Sequence, residues 1–276
     1  RSGGTLFGWG KPYYNHCSVA GNGTSTTYGS PVQIGSNSWT AVNCGMHNVH
    51  VIRSDGTLWG WGYNDAGGQL GHSSSLPYDG KASPIQIGSA TNWSKLGRGV
   101  GGHMQGHDNF PQSARYHAIT TAGALYSWGA CNQGGYGTPL IRGMNGDNTY
   151  FNRQGPGLVG NNGAASSSPV QVGSATNYST VAARYYINYG SYTDNSYYVF
   201  GRPNMDGYQY WAGLGPQFDT AGTGKIPNPT QVTTPSATSY RATIGGWNRS
   251  HLIRNDGIPF SVGHNRNGQL GDLRAY

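Results

Sequence analysis

The sequence predicts an all-β fold, a β-propeller of four-stranded blades, and three observations carry that expectation. Short motifs recur up to five times in a fixed order along the 276 residues. Each motif has the length and alternation of a strand, or the residues of a turn. The composition holds 47 glycines, 20 tyrosines and 8 tryptophans with only 10% charged residues. Such a chain suits tight turns and close sheet contacts and disfavours helices, where each glycine costs roughly 1 kcal/mol. The aromatic residues supply apolar surface that a disordered chain lacks.

The most regular motif is GTLFGWG at 4–10, GTLWGWG at 56–62 and GALYSWG at 123–129, with weaker copies NSYYVFG at 195–201 and GIPFSVG at 257–263. Their first residues are 52, 67, 72 and 62 positions apart. SPVQIG starts at Ser30, SPIQIG at Ser83, SPVQVG at Ser168 and NPTQVT at Asn228. A segment with an aromatic at Trp39, Trp93, Tyr178 or Tyr240 follows each, and then H-x-I at His50, His117 and His251. GGQLG at 67–71, a degraded GGYG at 134–137 and GQLG at 268–271 come after the TLWGWG copies. Self-similarity of this kind marks a repeat architecture, in which neighbouring units bury each other's apolar faces.

Each motif has a structural reading. SPVQIG opens with a proline, which donates no ladder hydrogen bond, so it is expected on the outer edge of a sheet. The aromatic segment and the H-x-I segment alternate apolar residues at period two and are expected to be strands. Asp55-Gly56 and Asp256-Gly257 are expected hairpin turns, because glycine accepts positive φ. In TLWGWG, Thr57, Trp59 and Trp61 share one face, and Leu58, Gly60 and Gly62 share the other. A strand that is bulky on one face and nearly bare on the other lets a neighbouring sheet approach closely. Four strands in a unit of about 50 residues is the arithmetic of a propeller blade.

These residues resemble a known family. SPVQIG, the aromatic segment, H-x-I, DGTLWGWG and GQLG together look like the repeat of the regulator of chromosome condensation, and the resemblance covers essentially the whole chain. It is specific around Trp59 and diluted after Ser191. The version it resembles most is the one common in bacterial surface proteins and bacteriophage virion proteins. The resemblance implies four-stranded blades, usually seven to a ring. The chain is therefore expected to be one propeller domain over 1–276, with units at 1–29 (partial), 30–82, 83–167, 168–227 and 228–276: about five blades or partial blades, and a segment of a seven-bladed ring. TLWGWG occurs five times but SPVQIG and H-x-I at most four, so the chain reads as a window on a longer ring. The rival is a five-bladed ring with one incomplete blade.

Departures from the unit are where function is sought. Leu96 to His117 spans 21 positions where Val42 to His50 spans 8, and Gly137 to Pro169 spans 32 where Gly71 to Pro84 spans 13. The second insertion holds Tyr150, Phe151 and Arg153. A third departure, 184–198, holds Tyr185, Tyr186, Tyr189, Tyr192, Tyr197 and Tyr198. Tyrosine amid Ser, Gly and Asn is a favoured contact palette, so Tyr150, Phe151, Arg153, Tyr185, Tyr186, Tyr189 and Tyr192 are candidate partner-binding residues. The position before Tyr150, Thr149, is not used as a candidate. The opposing reading is that some of these tyrosines pack between blades, since period two turns half of them inward.

Catalytic and metal motifs are weak. His103 and His107 stand at i, i+4 beside Asp108, but Gly99, Gly101, Gly102 and Gly106 argue against a helix to align them as ligands. His50, His117 and His251 recur at one position, which points to a structural role. Neither a G-x-S-x-G nor a P-loop is present. Cys17, Cys44 and Cys131 lack C-x-x-C spacing, and an odd count leaves at least one thiol free unless another chain pairs with it. The balance of 17 basic to 10 acidic residues gives +7 without any basic run to lie on phosphates, so a nucleic-acid partner is not expected. No apolar run approaches the ~18–20 residues of a membrane helix, and no membrane insertion is expected.

The expected function is non-catalytic, with no cofactor: a structural or adhesive propeller of a bacteriophage virion (tail, fibre or capsid decoration) or bacterial surface. It would contact other chains of an assembly or a surface glycan, and would be located on the virion, outside the cell or at its surface. Two alternatives stand beside it: a regulator of a small GTPase or a chromatin binder, and a secreted protein inhibitor or lectin.

Overall fold

The structure is a computed structural model, and it describes residues 3–11, 21–45, 48–64, 68–72, 80–98, 115–129, 141–142, 150–151, 166–184, 187–201, 226–231, 240–246, 249–254 and 256–263. Among these, every regular element is a strand. An N-terminal pair consists of β1 (Phe7–Gly10) and β2 (Tyr28–Gln33). Blade 1 is the sheet β3 (Trp39–Cys44), β4 (Asn48–Arg53), β5 (Leu58–Gly62) and β6 (Lys81–Gln86). Blade 2 joins β7 (Trp93–Leu96), β8 (Arg115–Thr120) and β9 (Leu125–Gly129) to β12 (Ser166–Gln171). A small hairpin, β10 (Ile141–Arg142) and β11 (Tyr150–Phe151), lies in the chain between β9 and β12. Blade 3 is β13 (Tyr178–Arg184), β14 (Ile187–Tyr192), β15 (Tyr197–Gly201) and β16 (Ile226–Gln231). Blade 4 has three strands, β17 (Tyr240–Gly246), β18 (Arg249–Arg254) and β19 (Pro259–Gly263).

All pairings are antiparallel between strands in chain order, as expected for a blade. Each four-stranded sheet begins at the aromatic segment and takes its outer edge from the next SPVQIG-type motif, so a blade is offset by one strand from the motif unit. Pro31, Pro84, Pro169 and Pro229 all lie on those outer strands, where the missing N–H leaves no gap in the ladder. The aromatic-led strands pack from blade to blade: β3 and β4 against β7, β8 against β13, and β13 and β14 against β17. Between blades 2 and 3 the contact tightens to a parallel bridge, in which Arg98 N–H donates to the Val181 carbonyl (2.8 Å) and Ala183 N–H donates to the Arg98 carbonyl (2.9 Å).

The two faces of TLWGWG divide between neighbours as the alternation requires. Trp61 turns toward the preceding unit, in a cluster with Ile34, Trp39 and Val51. Leu58 turns toward the following blade, in a cluster with Ile52, Ile87, Trp93, Tyr116, Ala118 and Trp128. The bare position is needed: a Cβ at Gly60 would stand 3.1 Å from both Ile87 and His50. The next interface repeats the pattern with Ile119, Leu125, Val172, Tyr178, Val181 and Phe200. Each fully buried aliphatic side chain of the size of Leu58 or Ile87 contributes about 1.5–3 kcal/mol, so the stacked faces are the core of the fold.

The turns between second and third strands follow one plan. Gly56 N–H donates to the Arg53 carbonyl (2.9 Å) with Gly56 at φ 80°, and Gly123 and Gly257 repeat this at φ 80° and 92°. In blade 3 the position is filled by Asn195 at φ 65°, the side chain that best tolerates the left-handed region after glycine. The Asp55 carboxylate accepts from Thr57 N–H (3.1 Å) and Oγ1 (2.6 Å), and Asp194 does the same for Ser196. Cys44 is an exposed free thiol.

Candidate functional site

The meander divides the connections between two rims. One rim carries the second-to-third-strand turns 54–57, 121–124, 193–196 and 255–258, and the blade-to-blade links 34–38, 87–92, 172–177 and 232–239. The opposite rim carries 11–27, 63–80, 97–114, 130–165 and 202–225, together with the short links 45–47, 185–186 and 247–248. Every long connection therefore leaves the same ends of the sheets. Both insertions singled out in the sequence are there, and so is 202–225, which the sequence reading passed over; the missing GQLG motif in that stretch was the available signal.

The five long connections have a distinctive composition. They carry six Lys or Arg against six Asp, so the connections themselves bring no net charge. Each contains aromatics, among them Tyr13, Tyr63, Phe110, Tyr150 and Trp211, set in Gly, Ser and Asn. Large rigid rings with short hydrogen-bonding neighbours make contact area at little entropic cost.

The structure distributes the predicted residues unevenly. Tyr150 and Phe151 form β11 on the long-connection rim, with Tyr150 opposite Arg142 and Phe151 opposite Ile141. The aromatic pair ends there, because the preceding residue, Thr149, carries a hydroxyl and no ring. Thr149, Arg153, Tyr185, Tyr186, His103 and His107 lie outside the described residues; 185–186 is the short link between β13 and β14 on that rim. Among the described residues, no three His, Cys, Asp or Glu come together to hold a metal, and no helix is long and apolar enough to cross a membrane.

Tyr189 is a correction to the partner-binding expectation. It is only 2% exposed and stacks on Tyr197 with centroids 5.8 Å apart. Its register explains this: Tyr189 pairs with Val199 as His50 pairs with Gly60 and His117 with Ser127. It replaces the recurrent histidine of the other blades and is a packing residue. Tyr192, at the other end of β14, is half-buried between Tyr178 (4.6 Å, edge-on) and Tyr198 (4.0 Å, stacked) on the short-turn rim.

The histidine position is structural where its side chain is described. His50 is fully buried against the Tyr116 and Trp128 rings of the next blade, at 4.1 and 5.2 Å. The Trp128 indole N–H is shared between His50 Nε2 (3.3 Å) and the Gln69 carbonyl (3.2 Å). Burial pulls the imidazole down to about 3, so it is neutral and its Nε2 can accept. The Tyr116 hydroxyl donates to Asn48 Oδ1, and burial pushes that phenol well above its usual value. His117 Nε2 meets Asn188 Oδ1 at 3.0 Å across the next interface. On the short-turn rim, the Arg53 guanidinium and the Thr57 hydroxyl hold the Asp55 carboxyl well below the carboxylate range. These groups are committed to turns and blade contacts.

Comparisons with known structures agree with this geometry. The chain has the fold of the chromosome-condensation-regulator propellers. Prp20p of Saccharomyces cerevisiae, in a structure describing its binding properties to Gsp1p and histones, matches 99% of this chain with a TM-score of 0.66 at 17% identity. Yeast RCC1 (Prp20) bound to Kap60 matches 98%, with a TM-score of 0.66 at 17% identity. Human WBSCR16 matches 97%, with a TM-score of 0.63 at 17% identity. The chain spans 57%, 54% and 59% of those three chains, a little over half of each. No protein-family model matches the sequence.

Proposed function

We propose that this chain is a non-catalytic protein-binding propeller whose partner docks on the long-connection rim. The observation that carries the reading is that all five long connections, each with aromatics and together balanced in charge, join the same ends of the described strands, while the opposite ends are joined by links of at most eight residues. Loops on a rigid scaffold are where recognition is placed.

A protein partner is favoured over a glycan because the neighbours' described ligands, Gsp1p, histones and Kap60, are proteins. For the same reason the regulator or chromatin-binder reading draws more support than the virion or cell-surface reading, which rests on composition, loop irregularity and the resemblance of the repeat. The test uses purified core histones and a panel of small GTPases. The protein is compared with a variant in which 202–225 and 143–149 are replaced by short Gly-Ser turns. Saturable binding by the parent and its loss in a variant with unchanged unfolding midpoint is the expected result. Equal binding by both proteins would remove the rim from the account. Absence of binding to every protein probe, with retention on a glycan array, would replace the protein partner.

A further inference from the structure

One side-chain assembly recurs on the short-turn rim, and blade 3 holds it incomplete. In blade 1, Asp55 Oδ1 accepts from Thr57 N–H and Oγ1, which fixes the turn, and Oδ2 accepts from Arg53 Nε (2.8 Å) and Nη2. The same guanidinium lies over the Trp59 ring, its Cζ 5.0 Å from the centroid. Blade 4 divides the work in the same way: Asp256 Oδ1 accepts from Ile258 N–H (3.1 Å), and Oδ2 accepts from Arg254 Nε (2.7 Å) and Nη2. Blade 2 has neither charge, with Thr120 and Ala122 at the two positions. Blade 3 keeps the carboxylate and lacks the cation. Asp194 Oδ1 accepts from Ser196 N–H (2.8 Å) and Oγ (2.6 Å), and among the described residues no other residue donates to Oδ2. The arginine position is held by Tyr192, which pairs with Tyr178 as Arg53 pairs with Trp39.

The surroundings of Asp194 suit a guanidinium. The carboxylate is exposed, and the half-buried Tyr192 and Tyr198 rings stack beside it at 4.0 Å. Tyr198 stands where Trp59 stands, since it pairs with Gly190 as Trp59 pairs with Val51. Burial first, with the Tyr198 and Asp194 charges behind it, raises the Tyr192 phenol, so ring and carboxylate are within electrostatic reach. The link 232–239, which joins strands at the same rim, brings no charged residue to answer Asp194. We propose that Asp194 and the stacked Tyr192 and Tyr198 receive an arginine side chain of a partner protein, which supplies in trans the cation that Arg53 and Arg254 supply within their own blades. Guanidinium fits better than ammonium, because its planar fork reproduces the paired Nε and Nη2 bonds and packs against aromatic rings. The net charge of +7 opposes any diffuse attraction of a cationic segment, so recognition is local. This contact lies on the rim opposite the long connections and does not rest on the binding proposed there.

Nuclear magnetic resonance titration with the capped peptide Gly-Gly-Arg-Gly-Gly tests the proposal, beside the same peptide with lysine or citrulline in place of arginine. The amides of 192–196 should shift saturably with the arginine peptide. The other two peptides should bind about tenfold more weakly, the worth of a hydrogen bond between charged groups. Asp194→Asn keeps an acceptor for Ser196 and should weaken the arginine peptide by about the same factor. Tyr192→Arg supplies the guanidinium from within the chain and should abolish binding. Asp55→Asn removes a carboxylate that is already paired and should bind as the parent does. Circular dichroism first matches each variant to the parent. The proposal is overturned if the amides of 192–196 do not move, or if the lysine or citrulline peptide binds as tightly as the arginine peptide. It is overturned equally if Asp194→Asn or Tyr192→Arg binds like the parent, or if Asp55→Asn weakens binding as much as Asp194→Asn.

Discussion

The Gly56 carbonyl accepts the Trp93 N–H at 3.0 Å, which splices the turn of blade 1 to the first strand of blade 2. Gly4 and Trp39 make the same bond at 2.9 Å, and so do Gly123 and Tyr178 at 2.9 Å. The glycine is needed twice over. It takes positive φ, and a Cβ at Gly56 would collide with the Thr91 carbonyl oxygen of the approaching chain.

Gly56→Ala is therefore expected to destabilise more than Gly88→Ala. Gly88 also has positive φ, at 65°, but a Cβ there meets nothing within 4 Å. Left-handed backbone alone costs an alanine about 1–2 kcal/mol, and Gly88→Ala should stop there. Urea midpoints for the two variants give the difference, which is the cost of separating the blades. Equal midpoints would show that the turn and the following strand are not tightly apposed.

His50 makes stability pH-dependent. Its folded value, about 3, lies below the ordinary 6.5, so the unfolded chain binds the extra proton as pH falls. The stabilisation is complete above about pH 6.5 and declines through the interval toward 3, by about 1.4 kcal/mol per pH unit for one such group. A protonated imidazole would also turn an N–H against the Trp128 indole N–H. The turn carboxylates Asp55 and Asp256 are held low, the latter at about 2, and contribute only below about pH 4. Unfolding midpoints between pH 7 and 4.5 should fall for the parent and fall less for His50→Gln. Parallel curves would remove His50 as the source.

Tyr189→Ala should lower stability by about 3–5 kcal/mol, the range for deleting a buried aromatic ring. It should leave rim-mediated binding unchanged wherever the protein is still folded. Tyr192→Ala, at a half-buried position, should cost less. Chemical denaturation measures both, and a Tyr189→Ala protein of parental stability that fails to bind would restore the surface role.

This residue also shows how far the sequence could be read. Blade strands, their order, the proline-bearing edges and the two-faced TLWGWG strand were legible, because each follows from period two and from glycine or proline chemistry within a few residues. Tyr189 was not, since a tyrosine in an irregular stretch looks like a contact residue until its register opposite Val199 places it under the histidine position of its neighbours. The rim was half legible. Insertion lengths were visible, but their gathering at one side depends on strand direction, which the sequence does not state until the sheets are paired. Nor was the 202–225 connection visible as a member of that group.

Asn195 offers a control on the turn argument. It stands where Gly56 and Gly123 stand, at φ 65°, and it carries a Cβ. A Cβ at Gly56 or Gly123 would collide with the Thr91 or Thr176 carbonyl oxygen. Substitution at Asn195 therefore reports backbone conformation at a turn whose residue already carries a Cβ. Asn195→Ala should cost about 1–2 kcal/mol, the left-handed penalty for a residue without a helpful side chain. Asn195→Gly should fall within about 1 kcal/mol of the parent, because the relieved strain is offset by the greater freedom of glycine in the unfolded chain. Urea unfolding of the two variants beside Gly56→Ala completes the comparison. If Asn195→Ala costs as much as Gly56→Ala, the collision with the Thr91 carbonyl is not what makes Gly56 costly to replace.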